Sequence, residues 1–121
     1  MAKILIIDDD NQFRKMLRQT LEKAGYTVSE ADNGNKGIDS FRQAPTDLVI
    51  TDIVMPDKEG IETIMEIRRM APSIKIIAIS GGGRIRADSY LDLARKLGAT
   101  KTFSKPVDRK KLLETIDKVL S

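Results

Sequence analysis

Apolar positions along this chain switch repeatedly between a strand pattern and a helix pattern. Ile4-Leu5-Ile6-Ile7 is a short unbroken run rich in β-branched residues, as expected of a strand buried on both faces. Phe13, Met16, Leu17, Thr20, Leu21 and Ala24 then recur at helical spacing, with Asp10 as N-cap and Gly25 as the stop. Tyr26 to Glu30 reads as a second strand. Asp32 to Arg42 reads as a weaker helix, with Ile38 and Phe41 inward, Gly34 and Gly37 lowering its propensity, and Pro45 beyond it. Leu48-Val49-Ile50 is a third strand leading into Thr51 and Asp52. Pro56 and Gly60 flank a turn, and Ile61, Ile64, Met65 and Arg68 mark a third helix stopped by Pro72. Ile74 to Ile79 is a fourth strand ending at Ser80, before Gly81-Gly82-Gly83. Tyr90, Leu93, Ala94 and Leu97 form a fourth helical stripe, capped near Asp88 or Ser89 and stopped by Gly98. Thr100 to Ser104 is a short fifth strand. The last helix carries Leu112, Leu113, Ile116, Val119 and Leu120; with Asp108 as N-cap, Val107 and Leu112 form a hydrophobic staple.

Strand and helix alternate five times without a linker or repeat, so residues 1–121 read as one α/β domain. Such alternation implies a parallel sheet covered by helices on both faces. Ligands of open α/β sheets bind at the carboxyl ends of the strands, near a topological switch point.

Composition narrows the chemistry at those ends. The chain has no cysteine and no histidine, which excludes disulfides, thiol nucleophiles, thiolate zinc sites and imidazole acid–base catalysis. A metal here must be held by oxygen, which favours magnesium, calcium or manganese. With no tryptophan and few other aromatics, base stacking on nucleic acid is not expected. Residues 1–60 hold 8 basic and 11 acidic residues, residues 61–121 hold 13 and 7. An acidic half beside a basic half suggests a cation site and a partner surface. The apolar run after Lys3 is too short for a signal peptide or a membrane span, so a cytoplasmic protein is expected.

Strand 1 leads into Asp8-Asp9-Asp10, strand 3 ends in Asp52, strand 4 in Ser80, and strand 5 leads into Lys105-Pro106. Carboxylates, a hydroxyl and an ammonium therefore gather at one sheet edge. Two carboxylates about 5 Å apart repel by about 3 kcal/mol at an effective dielectric of 20. A hard divalent cation removes that cost. Taken singly, Asp10 is best read as a helix cap, Asp52 as a turn former, Ser80 as a strand-end hydroxyl and Lys105 as a solvated lysine. Their convergence argues for a site.

These residues resemble the receiver domain of two-component response regulators. The resemblance rests on Ile4-Leu-Ile-Ile-Asp-Asp9, on Leu48-Val-Ile-Thr-Asp-Ile-Val-Met-Pro56 with Gly60, on Ile79-Ser80, on Leu97-Gly-Ala99 and on Lys105-Pro106, in that order. It implies a flavodoxin-like (βα)5 fold with strand order 2-1-3-4-5. It also implies a non-enzymatic switch that accepts a phosphoryl group on Asp52 from a histidine kinase or phosphotransfer protein. Magnesium, with manganese as substitute, would be held by Asp9, by Asp8 mostly through water, by Asp52 and by the Val54 carbonyl. Ser80 would hydrogen-bond the phosphoryl group and Lys105 would pair with it.

The sequence departs from the family at two places. The usual switch aromatic, three residues before the lysine, is Thr102; Phe103 follows it and should face the other way. The stretch from Ser80 to Lys105 is about three residues longer than in commonly seen receivers, and Gly81, Gly82 and Gly83 lie in it. Either these glycines let the backbone close over the phosphoryl group, or they form a plain surface loop; the first reading makes them the switch. Arg109-Lys110-Lys111 sit in the first turn of the last helix, where the helix dipole disfavours cations. They are either solvated or part of an output surface for a downstream protein, made with the fourth helix and fifth strand. No effector domain follows the last helix, so a single-domain regulator is expected, or else a receiver cut from a larger one. Two rivals remain: a haloacid-dehalogenase-like phosphatase using Asp8 and Asp10, which leaves Asp52 idle, and a basic binding module without phosphorylation, which leaves the acidic site unexplained.

Overall fold

The computed structural model describes residues 2–53, 60–81, 92, 95, 96 and 98–121. Its elements are β1 (Lys3–Ile7), α1 (Asn11–Lys23), β2 (Thr27–Ala31), α2 (Gly34–Gln43), β3 (Leu48–Asp52), α3 (Gly60–Met70), β4 (Lys75–Ser80), β5 (Lys101–Ser104) and α4 (Arg109–Leu120). The strands form one parallel sheet in the order β2-β1-β3-β4-β5. The order reverses between β1 and β3, which makes their carboxyl ends the switch point.

Why β1 is apolar from Ile4 to Ile7 is plain from its neighbours. Ile4 and Ile6 belong to a core shared with Leu17 and Leu21 of α1 and Leu112 and Ile116 of α4. Leu5 and Ile7 belong to a second core with Ile38 and Phe41 of α2 and Ile61, Ile64 and Ile67 of α3. Alternate residues thus feed opposite faces, and from Ile4 to Ile7 no position is left for a polar side chain. Each fully buried leucine or isoleucine contributes about 2 kcal/mol.

Helix ends follow the sequence signals. Asp10 accepts from the Phe13 N–H, and Asp108 accepts from the Lys111 N–H. Gly25 closes α1 at φ 98°, with its own N–H on the Glu22 carbonyl and that of Tyr26 on the Leu21 carbonyl. That double bond is the Schellman arrangement, which needs a left-handed residue.

Several expected boundaries shift. β2 begins at Thr27, because the Tyr26 N–H is used in closing α1. α2 begins at Gly34 rather than Asp32, because the Asn33 side chain caps it through the Lys36 N–H. Ala24 is the exposed C-cap of α1 and not part of its apolar stripe. Met65 is 43% exposed; the inward positions of α3 include Ile61, Ile64 and Ile67 instead. Gly37 is buried against the Ile7 side chain, where a Cβ would collide, so its cost in helix propensity has a packing reason. The expected helix over 88–97 lies largely outside the described residues, though Asp92, Arg95 and Lys96 are helical. Among the described residues no helix is long and apolar enough to cross a membrane.

Candidate functional site

Asp8 continues β1 past its last residue. Its N–H donates to the Ala31 carbonyl at 3.1 Å, and its Oδ1 accepts the Asp10 N–H at 2.8 Å. The side chain is almost fully buried, at 1% residue exposure. The chain then turns, leaving Asp9 exposed, and Asp10 caps α1.

Asp52 closes β3 and is also buried. Beyond it the ladder continues through the Ile53 N–H, which donates to the Ile79 carbonyl at 3.0 Å. Gly60, at the start of α3, donates to the Ile53 carbonyl at 3.2 Å. A Cβ on Gly60 would run into the Asp52 carbonyl oxygen and Ile53 Cα. The first residue of α3 therefore rests directly on the strand end that carries Asp52.

Lys105 is delivered by β5, and its N–H donates to the Ser80 carbonyl at 2.8 Å. Its ammonium reaches back across the sheet end to lie 3.4 Å from Asp52 Oδ2. The face of Phe13 lies beneath it, 4.2 Å from nitrogen to ring centroid, a cation–π contact. Carboxylate oxygens of Asp8, Asp9 and Asp52 lie within 4.8 Å of one another.

Burial pushes the Asp8 carboxyl up to about 6, helped by the Asp52 charge and opposed by the Asp10 N–H and by Lys105. Burial acts to lower Lys105, but Asp8 and Asp52 outweigh it and hold the ammonium above the ordinary lysine value. Asp8 Oδ2 is buried and accepts no hydrogen bond from any described residue, with the Lys105 ammonium 3.1 Å away. A clustered all-oxygen donor set with one buried lone-pair oxygen fits a hard divalent cation.

Asp8, Asp9, Asp52 and Lys105 are thus brought together as their sequence positions suggested. Ser80 is buried at the end of β4, whose neighbouring residue Ile79 pairs with Asp52. Asp10 stands outside the carboxylate cluster and serves as the α1 cap, so the geometry does not assemble an Asp8–Asp10 catalytic pair. Thr102 pairs with Ala78, and Phe103 packs into the core of Ile79 and Leu112. Val54, Gly82 and Gly83 lie outside the described residues. A Cβ at Gly81 would meet nothing within 4 Å, so packing does not demand glycine there. Arg109, Lys110 and Lys111 are exposed, and Arg109 fronts a groove along α1 beside Met16 and Lys23.

Sequence reasoning passed over Phe13 as a partner of Lys105, and passed over Arg14 entirely. Arg14 donates from Nη1 to the Asp8 carbonyl at 2.7 Å, from Nη2 to Asn11 Oδ1 at 2.7 Å and from Nε to Glu30 Oε1 at 2.8 Å. The available signal was positional: the first turn of α1 must face the loop that precedes it.

Comparison with known proteins agrees with this geometry. The family model for the response regulator receiver domain matches residues 4–117. The response regulator receiver protein CpdR of Brucella abortus is 37% identical over 120 residues, covering 99% of this chain and 98% of that protein. The chemotaxis protein CheY of Thermotoga maritima is 36% identical, covering 97% and 96%. The solved structure of Vibrio cholerae chemotaxis protein CheY4 superposes with a TM-score of 0.88 at 30% identity, covering 99% of each chain.

Proposed function

The chain belongs to the response regulator receiver family, and on that premise we propose that it is a phosphoacceptor switch whose nucleophile is Asp52. A receiver is a signalling protein of a two-component system rather than an enzyme, and the family implies a histidine-kinase partner. The observation that carries the residue assignment is the buried Asp52 carboxylate, set among Asp8, Asp9 and the Lys105 ammonium at the switch point of the sheet.

In this reading an Asp52 oxygen attacks phosphorus on a phosphohistidine of a kinase or phosphotransfer protein. The new P–O bond forms as the P–N bond breaks, and the imidazole leaves with the electron pair. A carboxylate nucleophile needs no general base, so the lack of histidine is no obstacle. Asp8, Asp9, Asp52 and the Val54 carbonyl are the groups that would hold magnesium, or manganese in its place. The bound cation supplies charge neutralisation at the phosphoryl oxygens. Lys105 moves its ammonium from the carboxylates to a phosphoryl oxygen, and the Ser80 hydroxyl donates to another. The resulting acyl phosphate is lost by hydrolysis, which makes the signal reversible.

Output runs through protein contacts in the cytoplasm. The surface around β5 and α4, with Arg109, Lys110 and Lys111 exposed, supports a downstream partner of acidic character. Transfer of labelled phosphate from a histidine-phosphorylated kinase domain tests the assignment. Label should appear on this chain only with magnesium and should be absent in Asp52→Ala; label retained in that variant rejects Asp52.

A further inference from the structure

We propose that Arg14 is a positioning residue for the acidic loop, holding Asp8 and Asp9 in the arrangement that receives the cation. The inference rests on the magnesium reading above and adds a residue to it.

Asp8 is fixed from three directions. Its N–H is tied to β2 through the Ala31 carbonyl, and its Oδ1 is tied to the Asp10 N–H. Its carbonyl, the last backbone group before Asp9, is held only by Nη1 of Arg14 among the described residues. That guanidinium is itself immobilised. Nη2 bonds Asn11 in the same turn of α1, and Nε bonds Glu30 of β2. Glu30 is anchored in turn by Arg18, whose Nη1 lies 2.6 Å from Glu30 Oε2. Two elements, α1 and β2, thus converge on the peptide that joins Asp8 to Asp9. A planar fork with donors in fixed directions can make these bonds at once; a lysine ammonium cannot.

Charge and position pull in opposite directions here, which makes the idea testable. Arg14 is a cation near a cation site, so on charge alone its removal should tighten magnesium binding. If its work is to hold the loop, removal should weaken binding, by the roughly 10-fold or more typical when a partner of a metal ligand is lost.

Isothermal titration of magnesium into the folded protein separates these outcomes, with thermal melting as a fold check. Arg14→Gln and Arg14→Lys should both weaken binding by about 10-fold. Lys15→Gln, which removes an equal charge from the exposed face of α1 and lies outside this network, should stay within about twofold of wild type. In the metal-free protein, amide exchange at Asp10, whose N–H bonds Asp8 Oδ1, should quicken in Arg14→Lys. Tighter or unchanged binding in Arg14→Gln, or an affinity in Arg14→Lys equal to wild type, overturns the proposal while leaving the magnesium reading intact. Wild-type protein that takes up no magnesium overturns the reading and this proposal with it.

Discussion

The Lys105 ammonium lies 3.1 Å from Asp8 Oδ2, the one described buried side-chain oxygen that accepts no hydrogen bond. The lysine thus supplies positive charge beside that oxygen, and a divalent cation held by this cluster would add to it.

Lys105→Met should therefore destabilise the metal-free protein by about 3 kcal/mol, because it removes the ammonium from beside the buried Asp8 carboxylate. The same variant should gain more in melting temperature from magnesium than wild type does. Thermal melts of both proteins with magnesium and with chelator check this; an equal magnesium increment in the two contradicts it. In wild type, magnesium at 100 times its dissociation constant should add about 2.7 kcal/mol.

Asp8 makes the metal-free protein sensitive to pH in a defined sense. Its folded pKa of about 6 lies above the ordinary 3.8, so the native state binds the extra proton between these values. Raising pH through that window therefore lowers stability, by about 3 kcal/mol in all for this group. Asp8→Asn should remove this slope and be more stable than wild type at pH 7 in chelator. Magnesium affinity should fall as pH drops below about 6, as proton and metal compete for Asp8. Urea unfolding at pH 4.5 and 7.5, wild type against Asp8→Asn, gives the sign directly.

Gly60→Ala places a methyl group against the backbone of Asp52 and Ile53, which cannot rotate away. The cost should be about 3 kcal/mol. The larger consequence is displacement of Asp52, so phosphoryl acceptance should fall even at temperatures where the variant stays folded. A variant that melts early but accepts phosphate at the wild-type rate would show that α3 does not seat Asp52.

Readout should not use the aromatic at β5. Phe103 is packed with Ile79 and Leu112, on the face opposite Thr102. On phosphorylation, amide exchange should change at residues 81 to 90, next to Ser80, and not at 100 to 104. The reverse pattern would return the switch to Phe103.

Much of this architecture was legible because strand and helix periods are local. The run Ile4–Ile7, the capping aspartates Asp10 and Asp108, and the Gly25 stop are each decided within a few residues, and the structure keeps them all. The convergence of Asp8, Asp52 and Lys105 was legible because strand ends of a parallel sheet share one edge. What was not legible depends on contacts between distant segments. Arg14 reads as an ordinary helix-surface residue until β2 brings Glu30 beside it, and Phe13 reads as core until β5 brings Lys105 over its ring. Met65 was misplaced because its spacing fits the stripe, while Ile67 fits the buried face better.

The central claim is that Asp52 accepts one phosphoryl group in a magnesium-dependent reaction. Intact-mass spectrometry after incubation with a small phosphodonor, with magnesium or chelator, tests it most directly, with Asp52→Asn as control. The account predicts one phosphoryl adduct on wild type with magnesium, none with chelator, and none on Asp52→Asn. An adduct that persists on Asp52→Asn and maps to Asp8 or Asp10, or no adduct on folded wild type at saturating magnesium, would contradict it.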